Sequence, residues 1–528
     1  MHCMYSQRSL KMTNRTFITL ALGAGLILIG SRLFTGVAAP DVQDTGQLPK
    51  IDPDYVGLTV PVNIAPLNFR VLEEGDRFQA LIEPVNGPSF RLKSRNGAFR
   101  YSGNRWKKML RRNTGQYYTV TIQVKKSDQW VRYASFRNTI SEDPIDGYLV
   151  YRMLDPSFVN TRAMGIYQRD LTGFKETTIL HSSFLPACYN CHAFWQKKPD
   201  KMMLHIRGEL AGGTFIIDHG SIKKINTKTV INKAPGAYRS WHPSGKLIAF
   251  SVNIVRQFFH ATGYTQEGYD KVSDLIIYNV EKNTVTSSLH IANPYYLETY
   301  PEWSPDGKYL YFCRAKQPDF NSNFEEEYSR IMYDLMRIPY DMETETLGSP
   351  EVILNHKKTG FSVAQPRVSP DGRFLLFAAG DYGTFMIHRP GGDITLLNLK
   401  TGALFQPDIN SDRPESYNTW ASNSRWFIFS SKKRNDVCTH PYICHIDTSG
   451  NVSKAFILPQ KDPAFYDTHI MSYNVPELVQ GPIQVTGRDI AAVALDKSRE
   501  IQAEVDPETP VDALTQATVK SEYLESFQ

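Results

Sequence analysis

From about residue 58 the chain alternates apolar and polar positions in short runs, and turn residues separate the runs. RFQALIEP from Arg77, YYTVTIQV from Tyr117, WVRYASF from Trp130 and GYLVYRML from Gly147 are divided by NGP, RNG, SGN and KKSD. A period of two marks a strand with one face buried. Residues 58–178 therefore read as a β-sandwich-like domain, with 41–57, rich in Asp, Pro and Gly, as a linker before it.

Further on, one pattern repeats. Trp241-His-Pro-Ser-Gly-Lys-Leu-Ile-Ala-Phe250 is followed by Trp303-Ser-Pro-Asp-Gly-Lys-Tyr-Leu-Tyr-Phe312 and by Val368-Ser-Pro-Asp-Gly-Arg-Phe-Leu-Leu-Phe377. A fourth copy, degraded in its turn, is Trp420-Ala-Ser-Asn-Ser-Arg-Trp-Phe-Ile-Phe429. The spacings are 62, 65 and 52 residues. Each copy has one logic: an apolar anchor ends a strand, Pro-Asp-Gly turns the chain, and an apolar run makes the next strand. A further strand follows each time, as in DLIIYNV from Asp274 and DITLLNL from Asp393. Repeats of this length mean a propeller or an array.

The repeats resemble those of TolB-like, WD-like propellers over roughly residues 210–480. The resemblance implies a propeller at 209–482 and is silent on substrate, since propellers host many functions. GTFIID from Gly213 and SIKKINT from Ser221 are an outer strand pair without a turn motif of their own. The segment FYDTHIMSYNVPELV after Pro459 is the candidate to complete the ring, giving five or six blades. The expected fold class is all-β: a sandwich-like domain, a short haem-binding loop/helix insert at 179–208, then the propeller. Residues 483–528 read as a polar, acidic tail, in part helical.

Composition narrows the function. Hydrophobic residues are 41% and charged residues 21% of 528, an ordinary globular balance. A net charge of +5 gives no case for nucleic-acid binding. Arg91 to Arg112 holds nine basic residues, either a solvated hairpin face or a docking surface for an acidic partner or membrane headgroups. There is no G-x-S-x-G elbow, P-loop, H-E-x-x-H or G-x-G-x-x-G after a strand.

Residues 1–40 carry an export pattern. Arg8, Lys11 and Arg15 precede the apolar run Thr16 to Gly30, a basic flank before a run short for a full span. Val37-Ala38-Ala39 resembles a cleavage site, but Pro40 would hinder cleavage, so a signal peptide and an uncleaved membrane anchor both stand. Either way the chain beyond is expected in the periplasm or cell envelope. Cys3 lies before the run and is badly placed for lipid modification.

Cys188-Tyr189-Asn190-Cys191-His192 is a C-x-x-C-H sequence, the attachment pattern of c-type haem. Cys188 and Cys191 would form thioethers to one covalent haem c, and His192 would ligate the iron. Competing readings are a thioredoxin-like pair, which lacks the βαβ setting, a Cys188–Cys191 disulfide, which this spacing makes poor, and zinc with His181 or His205. For a distal ligand, Met202, Met203 and His205 lie 10 to 13 residues beyond His192. His205 and Met203 rank level, His181 comes third, and core packing competes for every Met. Cys438 and Cys444, in CTHPYICH, are a disulfide, two unpaired strand thiols or a metal site, and Cys313 is a buried small hydrophobe. The order of domains also resembles a group of exported bacterial propeller proteins with a single C-x-x-C-H, through NIAPLNF at Asn63, GIYQRDL at Gly165, ACYNCH at Ala187 and SYNVPEL at Ser472.

Three functions follow. The first is one-electron transfer with a redox or envelope protein partner docked by the propeller. The second is a binding, scaffold or sensor propeller with haem as a structural or sensory cofactor. The third is a haem-dependent oxidoreductase, which needs extra metal ligands; His242, His260, His356, His388 and His469 show no spacing for them. An electron-transfer or binding protein is favoured over a complete enzyme, without identified catalytic residues.

Overall fold

The computed structural model describes residues 42–156, 163–258, 266–318 and 327–519. The export segment, and with it the choice between cleaved signal and anchor, lies outside them, as does His260. Among the described residues no helix is long and apolar enough to cross a membrane.

Chain order builds two parts. The first pairs strands Val42–Asp44, Thr59–Val60, Arg77–Pro84, Phe90–Ser94, Tyr117–Lys126, Gln129–Arg132 and Phe136–Ile140 into one sheet. A small sheet of Ile51–Asp52, Phe69–Val71 and Ala98–Phe99 lies beside it. Strands inside 41–57 make that stretch part of the domain and not a linker. The basic segment forms an edge strand and the helix Gly103–Arg112. Trp106, Met109 and Leu110 of the helix are buried, while Arg105, Lys107, Lys108, Arg111 and Arg112 are exposed. The spacing of the three apolar residues is that of one helix face.

The second part is a propeller of six four-stranded blades, and it starts earlier than the repeats do. Blade 1 takes Tyr148–Leu154, Gly165–Asp170 and Glu176–His181, and its innermost strand is Ser472–Val479 from near the other end of the chain. That pairing closes the ring, so 58–178 spans the first domain and most of blade 1. Blade 2 is Cys188–Phe194, Lys201–Arg207, Gly213–Asp218 and Ser221–Asn226. The segment read as a loop/helix insert is thus an inner strand hairpin. Blades 3 to 6 start at Arg239, Tyr296, Ser362 and Glu415, one per repeat. The polar tail is not free: Glu500–Gln502 pairs in parallel with blade 2 and Glu504–Val505 with blade 3.

Each repeat's turn is built as its residues require. Gly245, Gly307 and Gly372 have φ of 73°, 73° and 70°, and Ser424 in the degraded copy has 60°. The apolar anchors Trp241, Trp303, Val368 and Trp420 are buried against the preceding blade. The first domain is fastened to blade 6 by Arg434, which bonds Asp52 at 2.7 Å and Asp467 at 3.0 Å, and by Trp426 Nε1, which donates to the Asp143 carbonyl at 2.9 Å. Cys438 and Cys444 are both free thiols. His440–His445 is extended strand, so the chain between the two cysteines spans well over 10 Å, beyond the reach of a disulfide. Cys313 is fully buried in blade 4, as expected.

Candidate functional site

The inner strands share one irregularity. In blades 1, 2, 4, 5 and 6 two inner-strand residues oppose a single residue of the next strand, a β-bulge. The pairs are Val475-Pro476, Tyr189-Asn190, Tyr300-Pro301, Gln365-Pro366 and Tyr417-Asn418. Tyr300, Gln365, Tyr417 and Val475 carry positive φ of 46–54°. Tyr238-Arg239 occupies the same place in blade 3. All six pairs except Tyr189 have both members on the wall of one central cavity of about 530 Å³.

This correspondence assigns each residue of the C-x-x-C-H sequence. Cys191 takes the place of Ser240, Glu302, Arg367, Thr419 and Glu477. His192 takes the place of Trp241, Trp303, Val368, Trp420 and Leu478, the apolar anchor that faces the preceding blade. His192 is accordingly fully buried, its ring lies against the backbone of Val150 in blade 1, and neither nitrogen has a well-formed hydrogen bond. Burial first, then the charges of Arg239 and Arg152, lowers its pKa to about 3.

The bulge at Asn190 has a second effect. Cys188 lies opposite Arg207 and Cys191 opposite His205. Arg207 and His205 are two apart on one strand, so both cysteines share a face. Both line the cavity; His192 does not. Met203 and His205 lie opposite Ala193 and Cys191, on the face toward blade 3, whereas His192 lies opposite Leu204 on the face toward blade 1. Met203 packs with Trp241 and Phe250, and His205, lowered to about 3 by burial, sits 3.5 Å from the Thr214 hydroxyl. Met202 fills the core between blades 1 and 2. His181 Nδ1 is 2.8 Å from the Ser183 hydroxyl, on blade 1's outer strand.

The two thiols open on the cavity, His192 is on the opposite face of the strand, and Met203 and His205 lie on the face away from His192. Among the described residues no group of three or more His, Cys, Asp and Glu is placed to hold a metal ion.

The cavity instead collects arginines. Arg239, Arg367 and Glu477 line both it and a second cavity of about 370 Å³, so they form a septum across the axis. Glu477 accepts from Lys197 Nζ at 2.8 Å and Thr419 Oγ1 at 2.9 Å, and lies 3.8 Å from both Arg239 and Arg367. Burial pushes its carboxyl up, but Lys197, Arg367 and Arg239 together hold it far below the usual range. Arg367 also bonds Glu302 at 2.9 Å. Arg239 is 4% exposed, and its Nε and Nη2 have no hydrogen-bond partner. Arg152, also buried, donates to the Tyr189 carbonyl and to the side-chain oxygens of Asn190 and Asn474, and pairs with no carboxylate among the described residues. Its Nε, and both amide atoms of Asn418, are unpartnered.

No family model matches the chain, and no curated protein does. Similar solved structures include an oligogalacturonate lyase in complex with manganese, at 11% identity and a TM-score of 0.33 over 58% of this chain and 72% of that one. A hypothetical selenium-binding protein from Sulfolobus tokodaii gives 9% and 0.40 over 64% and 95%. An auxiliary nutrient binding protein from Bacteroides thetaiotaomicron gives 11% and 0.32 over 77% and 98%. These are likenesses of fold alone.

The septum escaped the sequence reading because its members are scattered over three blades. A signal was present: Tyr189-Asn190-Cys191-His192 aligns with Tyr417-Asn418-Thr419-Trp420, and that alignment puts His192 in the anchor column.

Proposed function

We propose that the protein is an envelope ligand-binding propeller whose central cavity takes a small anion, a carboxylate-bearing molecule. The observation that supports this is Arg239, which lines the cavity, is buried, lies 3.8 Å from Glu477 and has two guanidinium nitrogens without a hydrogen-bond partner. A buried donor left without a partner costs about 1–3 kcal/mol, more when charged. A carboxylate bound there recovers that cost with charge-assisted bonds, and Arg152 and Asn418 offer further donors. Lys197, Arg239 and Arg367 against Glu302 and Glu477 leave the septum one positive charge in excess. The export pattern at residues 1–40 supports the envelope as the location.

The test is thermal unfolding with succinate, citrate or sulfate. A ligand at 100 times its Kd stabilises by about 2.7 kcal/mol, so Tm should rise with one of these anions and not with glycerol. Arg239→Met should abolish the rise. If no anion raises Tm at tens of millimolar, or the rise survives in Arg239→Met, the reading fails.

The cytochrome reading keeps one supporting observation: both thiols open on a single cavity. It makes the protein a one-electron carrier for a redox partner, with haem joined at Cys188 and Cys191 and an iron ligand other than His192. A haem-stained denaturing gel of protein made with c-type haem maturation decides it. A stain that Cys191→Ala removes supports it, and an unstained, folded protein ends it.

A further inference from the structure

We propose that Cys188 and Cys191 form a redox-active dithiol in the cavity wall, exchanging with small disulfides that carry carboxylates. The inference rests on the anion-binding reading of the same cavity and names the class of substrate that reading leaves open.

Three observations carry it. The bulge at Asn190 turns a C-x-x-C spacing, which on a regular strand would put the thiols on opposite faces, into a pair on one face. Both thiols are free and reach the cavity, Cys188 half-buried on the wall and Cys191 2% exposed at the septum. Guanidinium groups flank both thiols: Cys191 lies near Arg239 and Arg367, which also face Glu477, and Cys188 pairs across the strands with Arg207. The thiolate is the form that attacks a disulfide, and the guanidinium groups hold the carboxylates of an incoming disulfide. The other described cysteines, Cys313, Cys438 and Cys444, are buried and line none of this cavity.

The more accessible Cys188 attacks first. Its thiolate forms a bond to one sulfur of R–S–S–R, the substrate S–S bond breaks, and R–S⁻ leaves with the electron pair and takes up the proton Cys188 lost. Cys191, deprotonated in turn, attacks Cys188 Sγ as the strand bends at the Asn190 bulge to bring the two sulfurs within bonding distance. The Cys188–Cys191 bond forms, and the second R–S⁻ leaves and is protonated. The dithiol is oxidised by two electrons and the disulfide is reduced to two thiols.

The experiment uses the full chain carrying Cys3→Ser, reduced, with two coloured probes. One is 5,5′-dithiobis(2-nitrobenzoate), a dicarboxylate, and the other is the neutral 4,4′-dithiodipyridine. This chain should release about two equivalents of thionitrobenzoate in a fast phase and retain no label, the signature of a closed internal disulfide. Cys191→Ser should release about one equivalent and retain a mixed disulfide. Cys188→Ser should lose the fast phase yet keep the anion-induced rise in Tm. Arg239→Met should slow the dicarboxylate about tenfold while leaving the neutral disulfide within about twofold, the loss expected of one charge-assisted contact. Fast exchange with no preference for the dicarboxylate overturns the substrate class and, with a flat anion response, the anion-binding reading too. A native protein that reacts only after denaturation, or haem found bonded to both cysteines, overturns the dithiol while leaving the Tm test of anion binding to stand on its own.

Discussion

His192 sits where other blades place Trp, Val or Leu, and its imidazole stays neutral down to a pH of about 3. His205 and His440 are lowered to about 3 in the same way, by burial first. In the unfolded chain each takes up a proton near 6.5. Their folded pKa values lie below the unfolded ones, so the stability they contribute is complete above about 6.5 and is lost as the pH falls toward 3. The loss amounts to about 1.4 kcal/mol per pH unit for each imidazole. His192→Leu, which copies Leu478 of blade 1, should remove one such share. In urea titrations the gap between variant and wild type should widen in the variant's favour from pH 6 to pH 4, with no loss at pH 7. A variant that is destabilised at pH 7 would mean the ring is held by a bond not seen here. Glu477 is the opposite case, a carboxylate held ionised by three cations. Glu477→Gln should cost about 3–5 kcal/mol, as removal of one member of a buried pair does, readable as a lowered urea midpoint at unchanged slope.

At the scale of elements, the turns decide what the sequence made legible. Pro-Asp-Gly and its variants announce blades 3 to 6, because a left-handed turn residue restricts the side chain that can stand there. Gly307 and Gly372 share that conformation but not their surroundings. A Cβ on Gly307 would lie 2.3 Å from His242 Nε2, whereas one on Gly372 meets nothing within 4 Å. Gly372→Ala should therefore cost about 1–2 kcal/mol, and Gly307→Ala about 2 kcal/mol beyond that, as shifts in Tm will show. Blades 1 and 2 were not legible for the same physical reason inverted. The inner hairpin of blade 2 turns through Gln196 and Lys197 at φ of 48° and 61°, residues that do not advertise a turn. The inner strand of blade 1 comes from the far end of the chain, where no local pattern reveals its partner. The all-β class, the propeller and the candidacy of 472–479 for closing it were readable. The convergence of Arg152, Arg239, Arg367 and Glu477 was not, since each is the lone charge of its own strand segment.

Across the whole molecule, one seam holds the ring. Ser472–Val479 is buried along its length between Tyr148–Leu154 and the rest of the propeller, and it carries Glu477 into the septum. A chain ending before Ser472 should lose both the septum and the inner edge of blade 1. Calorimetry should then show a broad, non-cooperative transition in place of a single sharp one; a sharp transition would mean the seam is dispensable. The seam also sets a clock. Its two strands are separated by about 320 residues, which at roughly 5–20 residues per second takes about 15–60 seconds to synthesise. For that interval Tyr148–Leu154 is an apolar strand with an open edge, a template for any neighbouring chain. A cell making this protein must keep that edge away from other nascent chains until Ser472–Val479 has been made. An edge left open that long is a site for aggregation until the seam closes.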